Sequence, residues 1–263
     1  PKAKRTRAKI KAAVAPILKE AAPVVADQVR RLLGVVTKDI TSSTTNLAPG
    51  IAAARIVAKL DLSILAAIAP AIEDDLAELA GDSAVLGIGT LEDFEADDEI
   101  VDKVFDRAVE WARERSAELV SVDGDESLIE STRDMIRNVI ADGLKDNIGT
   151  DAIADNIEAA TAFSEDRADT IARTEVAMAN ENGKMEGWRE VQDEGVELIK
   201  GWQASNNENT CEECQGNEDA GEIPLDEPFP SGDDTAPAHP RCECVTYAKT
   251  VAASGAESDE GEA

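Results

Sequence analysis

The sequence predicts a mostly α-helical protein that changes, toward its C-terminal end, into a small loop-rich α+β module. Three observations predict this. Apolar residues recur at three- and four-residue spacing through most of the first 195 positions, the mark of helices with one buried stripe. From about residue 197 the pattern becomes two short runs rich in β-branched and aromatic residues, separated by Gly, Pro, Asn and Asp. Finally, all four cysteines and the single histidine fall between Cys211 and Cys244. At 263 residues and 43% apolar composition, the chain is long enough to bury a sizeable core.

The elements follow in order. Residues 8–33 place Ile10, Val14, Ile17, Leu18, Val24, Val25, Val29, Leu32 and Leu33 at helical spacing. Pro16 and Pro23 are expected to kink or divide that helix, because proline removes an N–H from the ladder. The polar run TKDITSSTTNLAPG is expected to end it. Residues 51–80 read as an Ala-rich helix interrupted at Pro70, and GDSAVLGIGTLEDFEADD reads as a loop. Its Gly87-Ile88-Gly89 lacks the third Gly, the Lys and the preceding strand of a phosphate loop, so no nucleotide site is expected there.

Residues 97–120 form a strongly amphipathic pattern, with Val101, Val104, Phe105, Ala108, Trp111 and Ala112 on one face; Phe105 and Trp111 read as core. After the turn SVDGDES, residues 126–146 are helical through Leu128, Met135, Ile136, Val139, Ile140 and Leu144, with Gly149 as the stop. Thr150 is expected to cap a short helix over 151–160, with Asp151 well placed in its first turn. Ser164 is expected to cap a helix running to about 194, which Gly195 ends. VELIKGWQAS and CVTYAKTV read as strands, and ASGAESDEGEA as an acidic, low-complexity, disordered tail. No internal repeat is visible. The organisation expected is a basic N-terminal helical arm (1–40), a helical region without a placeable motif (41–125), a second helical region (126–196), the loop-rich module (197–250) and the tail (251–263).

Charge is the most extreme property. The chain carries 26 Lys and Arg against 55 Asp and Glu, a net of −29. Residues 1–40 carry ten cations and three anions, a net of +7, which leaves −36 for the rest. Such a body could mimic DNA, be disordered, or belong to a salt-loving organism. The apolar content and helical periodicity argue against wholesale disorder. The acids are also spread along every helix rather than blocked together. In molar salt the Debye length falls to about 3 Å, self-repulsion fades, and high net charge keeps a protein soluble. A halophilic source is therefore the reading carried forward. The longest strongly apolar piece, LSILAAIAPAI, is too short to span a bilayer, and the opening PKAKRTRAKIK has no apolar segment of a secretory leader.

The cysteine window reads Cys211-x2-Cys214, 24 residues, then His239-x2-Cys242-x-Cys244. Two thiolates two residues apart can face one ion, Gly216 would let the loop curl back, and a second pair from a distant loop completes a tetrahedron. A loop segment rich in Pro and Gly buries little apolar surface, so a metal can supply folding energy. Two disulfides are the plain alternative, but Cys242 and Cys244 are too close to bond comfortably, and pairing the thiols leaves His239 unexplained. The expectation is structural Zn²⁺ held by four of the five donors Cys211, Cys214, His239, Cys242 and Cys244; the spacing does not choose among the last three. With the only histidine committed there, His-dependent catalytic arrangements that need a further imidazole are excluded, and no catalytic residue or enzyme activity is expected. A metal-dependent nuclease or toxin-like hydrolase using this module is the alternative, and would need an open coordination position beside a carboxylate base. Direct DNA binding by the module is disfavoured, since beyond Lys200 it carries only Arg241 and Lys249 as cations.

Three features in order carry a family resemblance: RADTIARTEVAMANENGKMEGWRE (167–190), a strand bearing Trp202, and TCEECQGNEDAGEIPLDEPFP…APAHPRCECVTY (210–247). Together they resemble the Mu F-like, or SPP1 gp7-type, head morphogenesis proteins of tailed viruses. In that family a helix bearing IARTE leads into a CxxC segment, a G..(V/I)PL stretch and a closing HPxCRC. The counterparts here are Ile171 to Glu175, then Cys211 and Cys214, then Gly221, Ile223, Pro224 and Leu225, and finally His239, Pro240, Cys242 and Cys244. Glu243 replaces the usual basic residue between the last cysteines, and the usual DG before the PL stretch is loosened to NEDAGE. The resemblance covers roughly 126–249. It implies a non-enzymatic minor capsid protein of the virion, present in several copies in the capsid interior at the portal vertex and in the host cytoplasm during assembly. Its partners would be the portal protein or the major capsid protein, and its role would be in head assembly, DNA packaging or ejection.

Two further expectations follow. Arg173 either makes an intrahelical pair or docks its helix on the metal module, with Thr174 and Glu175 fixing its orientation. Trp188 and Trp202 are expected in the core, as a seat for the metal loop. The basic arm (Lys2, Lys4, Arg5, Arg7, Lys9, Lys11) is a candidate contact with packaged DNA or with an acidic neighbour, and in high salt the apolar face of its helix is the better docking surface.

Overall fold

A computed structural model describes the backbone of residues 2–42, 48–92, 94–120, 127–207 and 210–251, and side chains over the same ranges except 36–42. The expected tail and most of the SVDGDES turn lie outside the described residues. Eight α-helices appear among them: α1 (Lys2–Ser42), α2 (Pro49–Val57), α3 (Ile68–Ile88), α4 (Asp98–Leu119), α5 (Leu128–Lys145), α6 (Thr150–Glu158), α7 (Glu165–Asp193) and α8 (Glu212–Asp219). Short 3-10 turns occupy Ser63–Ala67 and Thr161–Phe163. Three strands, β1 (Leu198–Gln203), β2 (Glu222–Pro224) and β3 (Val245–Thr250), form one antiparallel sheet in the order β2-β1-β3. The expected class, mostly α with a small α+β C-terminal part, is the observed one. No described helix is long and apolar enough to cross a membrane.

The chain divides into two compact units. The first contains residues 1–79 and 110–176, the second 80–109 and 177–263. In the first unit α1 packs along α6, and α2 along α5. The buried stripe of α1 runs Ile10, Val14, Leu18, Val25, Val29, Leu33, mostly at four-residue steps, and each of these is at most 1% exposed. Ile153 and Ile157 of α6 and Ile136 and Ile140 of α5 are equally buried. Arg30 reaches across from α1 to Asp151 and Asp155 of α6, at 2.9 and 3.4 Å.

Several expectations are corrected here. α1 is neither divided at Pro16 nor at Pro23: both prolines lie on its exposed face, and the continuous buried stripe holds the helix through them. It also continues into TKDITS, to Ser42. Val24, expected in the stripe, is 46% exposed. The Ala-rich segment breaks at 58–62, not at Pro70, which sits in the first turn of α3, where its missing N–H has no intrahelical partner to lose. GDSAVLGI is the last part of α3 rather than a loop. Gly149 is the N-cap of α6, and Thr150 is its first helical residue; α5 has already ended at Lys145. Ser164 does cap α7, its Oγ accepting the Arg167 N–H at 3.1 Å, and Gly195 follows α7 with φ +95°.

The basic residues at the start of α1 face carboxylates of their own unit. Lys2 pairs with Glu78 (3.1 Å), Lys9 with Asp75 (2.6 Å), and Arg7 Nη2 donates to both oxygens of Asp169 (2.9 and 2.8 Å). The hydrogen bond from Arg7 is the main reason the Asp169 carboxyl is held below its ordinary range. Lys4 and Arg5 are exposed.

In the second unit small residues let helices approach closely. A side chain at Gly183 of α7 would overlap the Ala80 carbonyl of α3, and one at Gly187 would lie 2.8 Å from the Ala84 carbonyl oxygen. Trp188, 1% exposed, donates its indole N–H to the Gly87 carbonyl (3.1 Å), and Ser83 donates to Asn180 (3.0 Å). These contacts fix the stretch of α7 that carries the sheet.

Candidate metal centre

β1 is the middle strand, and its alternation sets what lies on each face. Lys200 and Trp202, two residues apart, are both buried, at 1% and 3% exposure. Trp202 meets Phe229 edge-on, with ring centroids 5.1 Å apart at 77°. Around this pair gather Ala204, Ala236, Cys214, Cys242 and Cys244, with Cys211, Ile223 and Ala238 packed against them. The seat expected for the metal loop is therefore Trp202 with Phe229. Trp188 is core, as expected, but from α7 it packs against α3.

The cysteines come from two places. Cys211 is the N-cap of α8: its sulfur accepts the Cys214 N–H at 3.4 Å, which also brings the Cys214 thiol round to the same side. The expectation that Gly216 bends a loop is corrected, since Gly216 lies inside α8. The second group sits on a turn in which Cys242 N–H returns to the His239 carbonyl at 3.0 Å, with Arg241 at φ +65°. His239 Nδ1 lies 3.0 Å from the Pro240 carbonyl. A carbonyl only accepts, so Nδ1 carries the proton and Nε2 keeps its lone pair. That Nε2 is 3.6 Å from Cys214 Sγ, and Cys214 Sγ is in turn 3.7 Å from Cys242 Sγ.

These distances test both readings of the window. A disulfide needs about 2.05 Å between sulfurs, and all four cysteines are free thiols. Donors about 2.3 Å (sulfur) and 2.0–2.1 Å (nitrogen) from a tetrahedral zinc lie roughly 3.8 and 3.6 Å from one another. The observed spacings fit the second case. Donor atoms fall into two groups, each within 4.8 Å: Cys211, Cys214 and His239, and Cys214, Cys242 and Cys244. Cys214 belongs to both, and all five expected donors are included. Neither group contains a carboxylate. Electrostatics divides the thiols. The N–H of Cys214 helps hold the Cys211 thiol below its ordinary pKa, as a helix N-terminus should, whereas burial pushes Cys214 and Cys242 up. Buried thiols that resist ionisation alone are the ones a cation would have to stabilise as thiolates.

Arg173 makes the plainer of its two expected contacts, an intrahelical pair with Asp169 at 3.2 Å. Glu175, 2% exposed, takes two hydrogen bonds from Arg115 (3.0 and 3.1 Å) within the first unit. The residues that tie α7 to the metal module are ones the sequence reading did not single out. Glu181 Oε2 accepts the Thr246 N–H at 2.8 Å, and Lys184 Nζ donates to the Thr246 carbonyl at 3.0 Å. Glu181 and Lys184 also pair with each other at 2.7 Å. One helical side-chain pair thus occupies a donor and an acceptor on the open edge of β3, as a neighbouring strand would. The i,i+3 Glu-x-x-Lys spacing was the available signal, but it is shared with many solvent-facing pairs. Thr246 also accepts, through its own hydroxyl, from Thr235 (2.9 Å) and from Ala236 N–H (3.0 Å), so the loop leading to His239 hangs from the same residue. Lys200 donates to the Asp234 carbonyl (2.8 Å) above the Phe229 ring, and its burial lowers its pKa to about 8.

Residues 134–247 match the family model described as Phage Mu protein F like protein. No curated protein and no solved structure matches the chain. The matched stretch takes in most of α5, the whole of α7 with its Glu181 and Lys184, the three-stranded sheet up to Tyr247, and all five donors. Over residues 134–247, 114 of its 263 positions, the chain is thus similar to the Mu F-like phage proteins.

Proposed function

We propose that this chain is a structural minor head protein bound inside the capsid near the portal vertex, several copies per particle, contacting the portal or major capsid protein and assisting assembly, packaging or ejection. The observation that carries it is the coincidence of the Mu F-like match with a thiol-rich centre that has no carboxylate among its grouped donors. Thiolate-rich sites without an acid suit an ion that holds chains together rather than one that activates water. In this reading four of Cys211, Cys214, His239, Cys242 and Cys244 hold a structural Zn²⁺, which fastens α8 and the His239 turn to the Trp202–Phe229 seat. The acidic surface supports a halophilic host. A contact with packaged DNA would fall to the exposed Lys4 and Arg5, since Lys2, Arg7 and Lys9 already face carboxylates.

The test is purification of heads in high salt, with metal analysis and density of the portal vertex on the same sample. Ordered copies around the portal with one zinc per chain are the expected result. Absence of the chain from heads, or an ion held by three protein ligands with a water beside a carboxylate, would instead support the hydrolase.

A further inference from the structure

The outer edge of β3 carries a second feature that the metal centre does not use. β3 pairs with β1 on one side only, with Lys200 opposite Ala248 and Trp202 opposite Thr246. Thr246 points its N–H and C=O away from β1, because Glu181 and Lys184 bind them. Main-chain direction alternates along a strand, so Ala248 also points its N–H and C=O away from β1. No described residue hydrogen-bonds to them. They open into a groove of about 480 Å³, a ligand-sized space, with Trp188 and Tyr247 among its walls. The groove is bounded at one end by the Glu181–Lys184 pair on Thr246 and at the other by the Thr250 hydroxyl, which donates to the Glu92 carbonyl at 3.2 Å. Thr246 to Thr250 spans about 13 Å of extended chain.

The charges at this groove are unequal in their freedom. Lys184 is paired with Glu181, and Lys249 with Glu222. Glu92, also in the lining, lies near enough to Lys249 to help raise its pKa but has no described cation within salt-bridge distance. The unit around it carries 30 Asp and Glu against 7 Lys and Arg, a net of −23. A buried strand edge whose Ala248 donor and acceptor open into a groove calls for another main chain; the surrounding field calls for a cation.

We propose that this groove docks a short, extended, basic segment of a partner protein, one residue of which exchanges two main-chain hydrogen bonds with Ala248 while a neighbouring Lys or Arg pairs with Glu92. Main-chain pairing supplies the affinity, and Glu92 with the acidic surroundings selects the sign of charge. The Glu181–Lys184 cap limits the pairing to a few residues, so the interaction is weak singly and suited to repeated copies on a symmetric ring.

The test uses the full-length, zinc-loaded chain at low ionic strength. Its probe is the blocked peptide Ac-Thr-Lys-Val-Lys-Thr-NH2, compared with its Glu-for-Lys analogue and with a version N-methylated at the central Val. The readout is the ¹H–¹⁵N shift of the Ala248 amide, with the Trp188 indole as a second reporter. The basic peptide is expected to shift both signals saturably, the acidic one to bind at least tenfold more weakly, and N-methylation to abolish the Ala248 shift. Glu92→Lys is expected to weaken the preference for the basic peptide while leaving metal content unchanged. No saturable Ala248 shift at millimolar peptide, equal binding of the N-methylated peptide, or an unchanged preference in Glu92→Lys would each overturn the proposal. None of these outcomes depends on where in a particle the chain resides, so the head-protein reading stands or falls separately.

Discussion

The first unit and the metal module reach a folded state by different routes. In the first, long helices bury an aliphatic stripe: Ile10, Val14, Leu18, Val25, Val29 and Leu33 of α1 against Ile153 and Ile157 of α6, among others. Each fully buried side chain of this kind contributes on the order of 1.5–3 kcal/mol. The module has only Trp202 and Phe229 as large buried groups in its cluster, and three of that cluster's seven buried members are cysteines. A stripe of many equivalent side chains tolerates the loss of one. A cluster built around thiols depends on what the thiols bind. The contrast is the difference between a fold specified by repetition and one specified by a few donors.

The largest expected effect separates these two routes. If the grouped donors hold zinc as proposed, chelation of the full chain, or Cys214→Ser, should release it and remove amide protection from β1, β3 and α8 by a factor of a thousand or more, while α1, α5 and α6 keep theirs. Structural zinc contributes apparent free energies of roughly 10–16 kcal/mol in small metal-folded domains, far more than two aromatic rings can. Hydrogen exchange by mass spectrometry reads both units in one experiment. A sheet that stays protected without metal would show that the Trp202–Phe229 seat suffices, and the contrast would collapse. The converse change is Leu18→Ala. At a fully buried site it should cost about 2–5 kcal/mol of the first unit's stability and leave zinc stoichiometry at its original value.

The same contrast explains what was legible in the sequence. Helical periodicity showed α1, α4, α5 and α7, because each stripe is redundant and survives a misplaced residue such as Val24. The donors were legible too, because four cysteines and one histidine in one window are a chemical signal that needs no fold. What failed was punctuation. Proline in α1 and glycine in α3 were read as breaks, yet a buried stripe outweighs the roughly 1 kcal/mol of a glycine or 3 kcal/mol of a proline. α8 was missed because eight residues of EECQGNED carry almost no apolar pattern; its start is set by the Cys211 sulfur acting as a cap. The docking pair Glu181–Lys184 was invisible for a related reason. Its partners are main-chain atoms of Thr246, 65 and 62 residues downstream, and main-chain atoms leave no trace in a sequence.

A smaller effect sharpens the comparison within the module itself. Glu181→Ala removes the acceptor of the Thr246 N–H and leaves Lys184 without its carboxylate. An unsatisfied buried donor costs about 1–3 kcal/mol. Exchange at the Thr246 amide should accelerate accordingly, and zinc should remain bound, because no donor group changes. If zinc were lost as well, the helix clamp and the metal would be one cooperative unit rather than two fastenings of one strand.

The smallest expected effect is a dependence on pH, and its window distinguishes the module from the ion-paired first unit. Lys200 is buried beside Phe229, and its folded-state pKa is lowered to about 8 from 10.5. Below about pH 8 both folded and unfolded chains hold the proton, and the folded state bears the cost of a buried ammonium. Between about 8 and 10.5 the unfolded chain binds more protons than the folded one, so the stability of the module rises with pH across that window. Asp169 acts in the same sense but in another range: its carboxyl is lowered by Arg7, so the stability it lends is present at neutral pH and is lost as pH falls through its folded-state pKa, below 3.8. Denaturant midpoints followed by Trp202 fluorescence between pH 7 and 10.5 should therefore climb, and Lys200→Met, which keeps the buried stem without the titrating amine, should flatten the climb. A wild-type midpoint that falls over the same interval would mean that the hydrogen bond to the Asp234 carbonyl and the Phe229 ring together hold the ammonium charged, and that desolvation is not the governing term at the centre of the sheet.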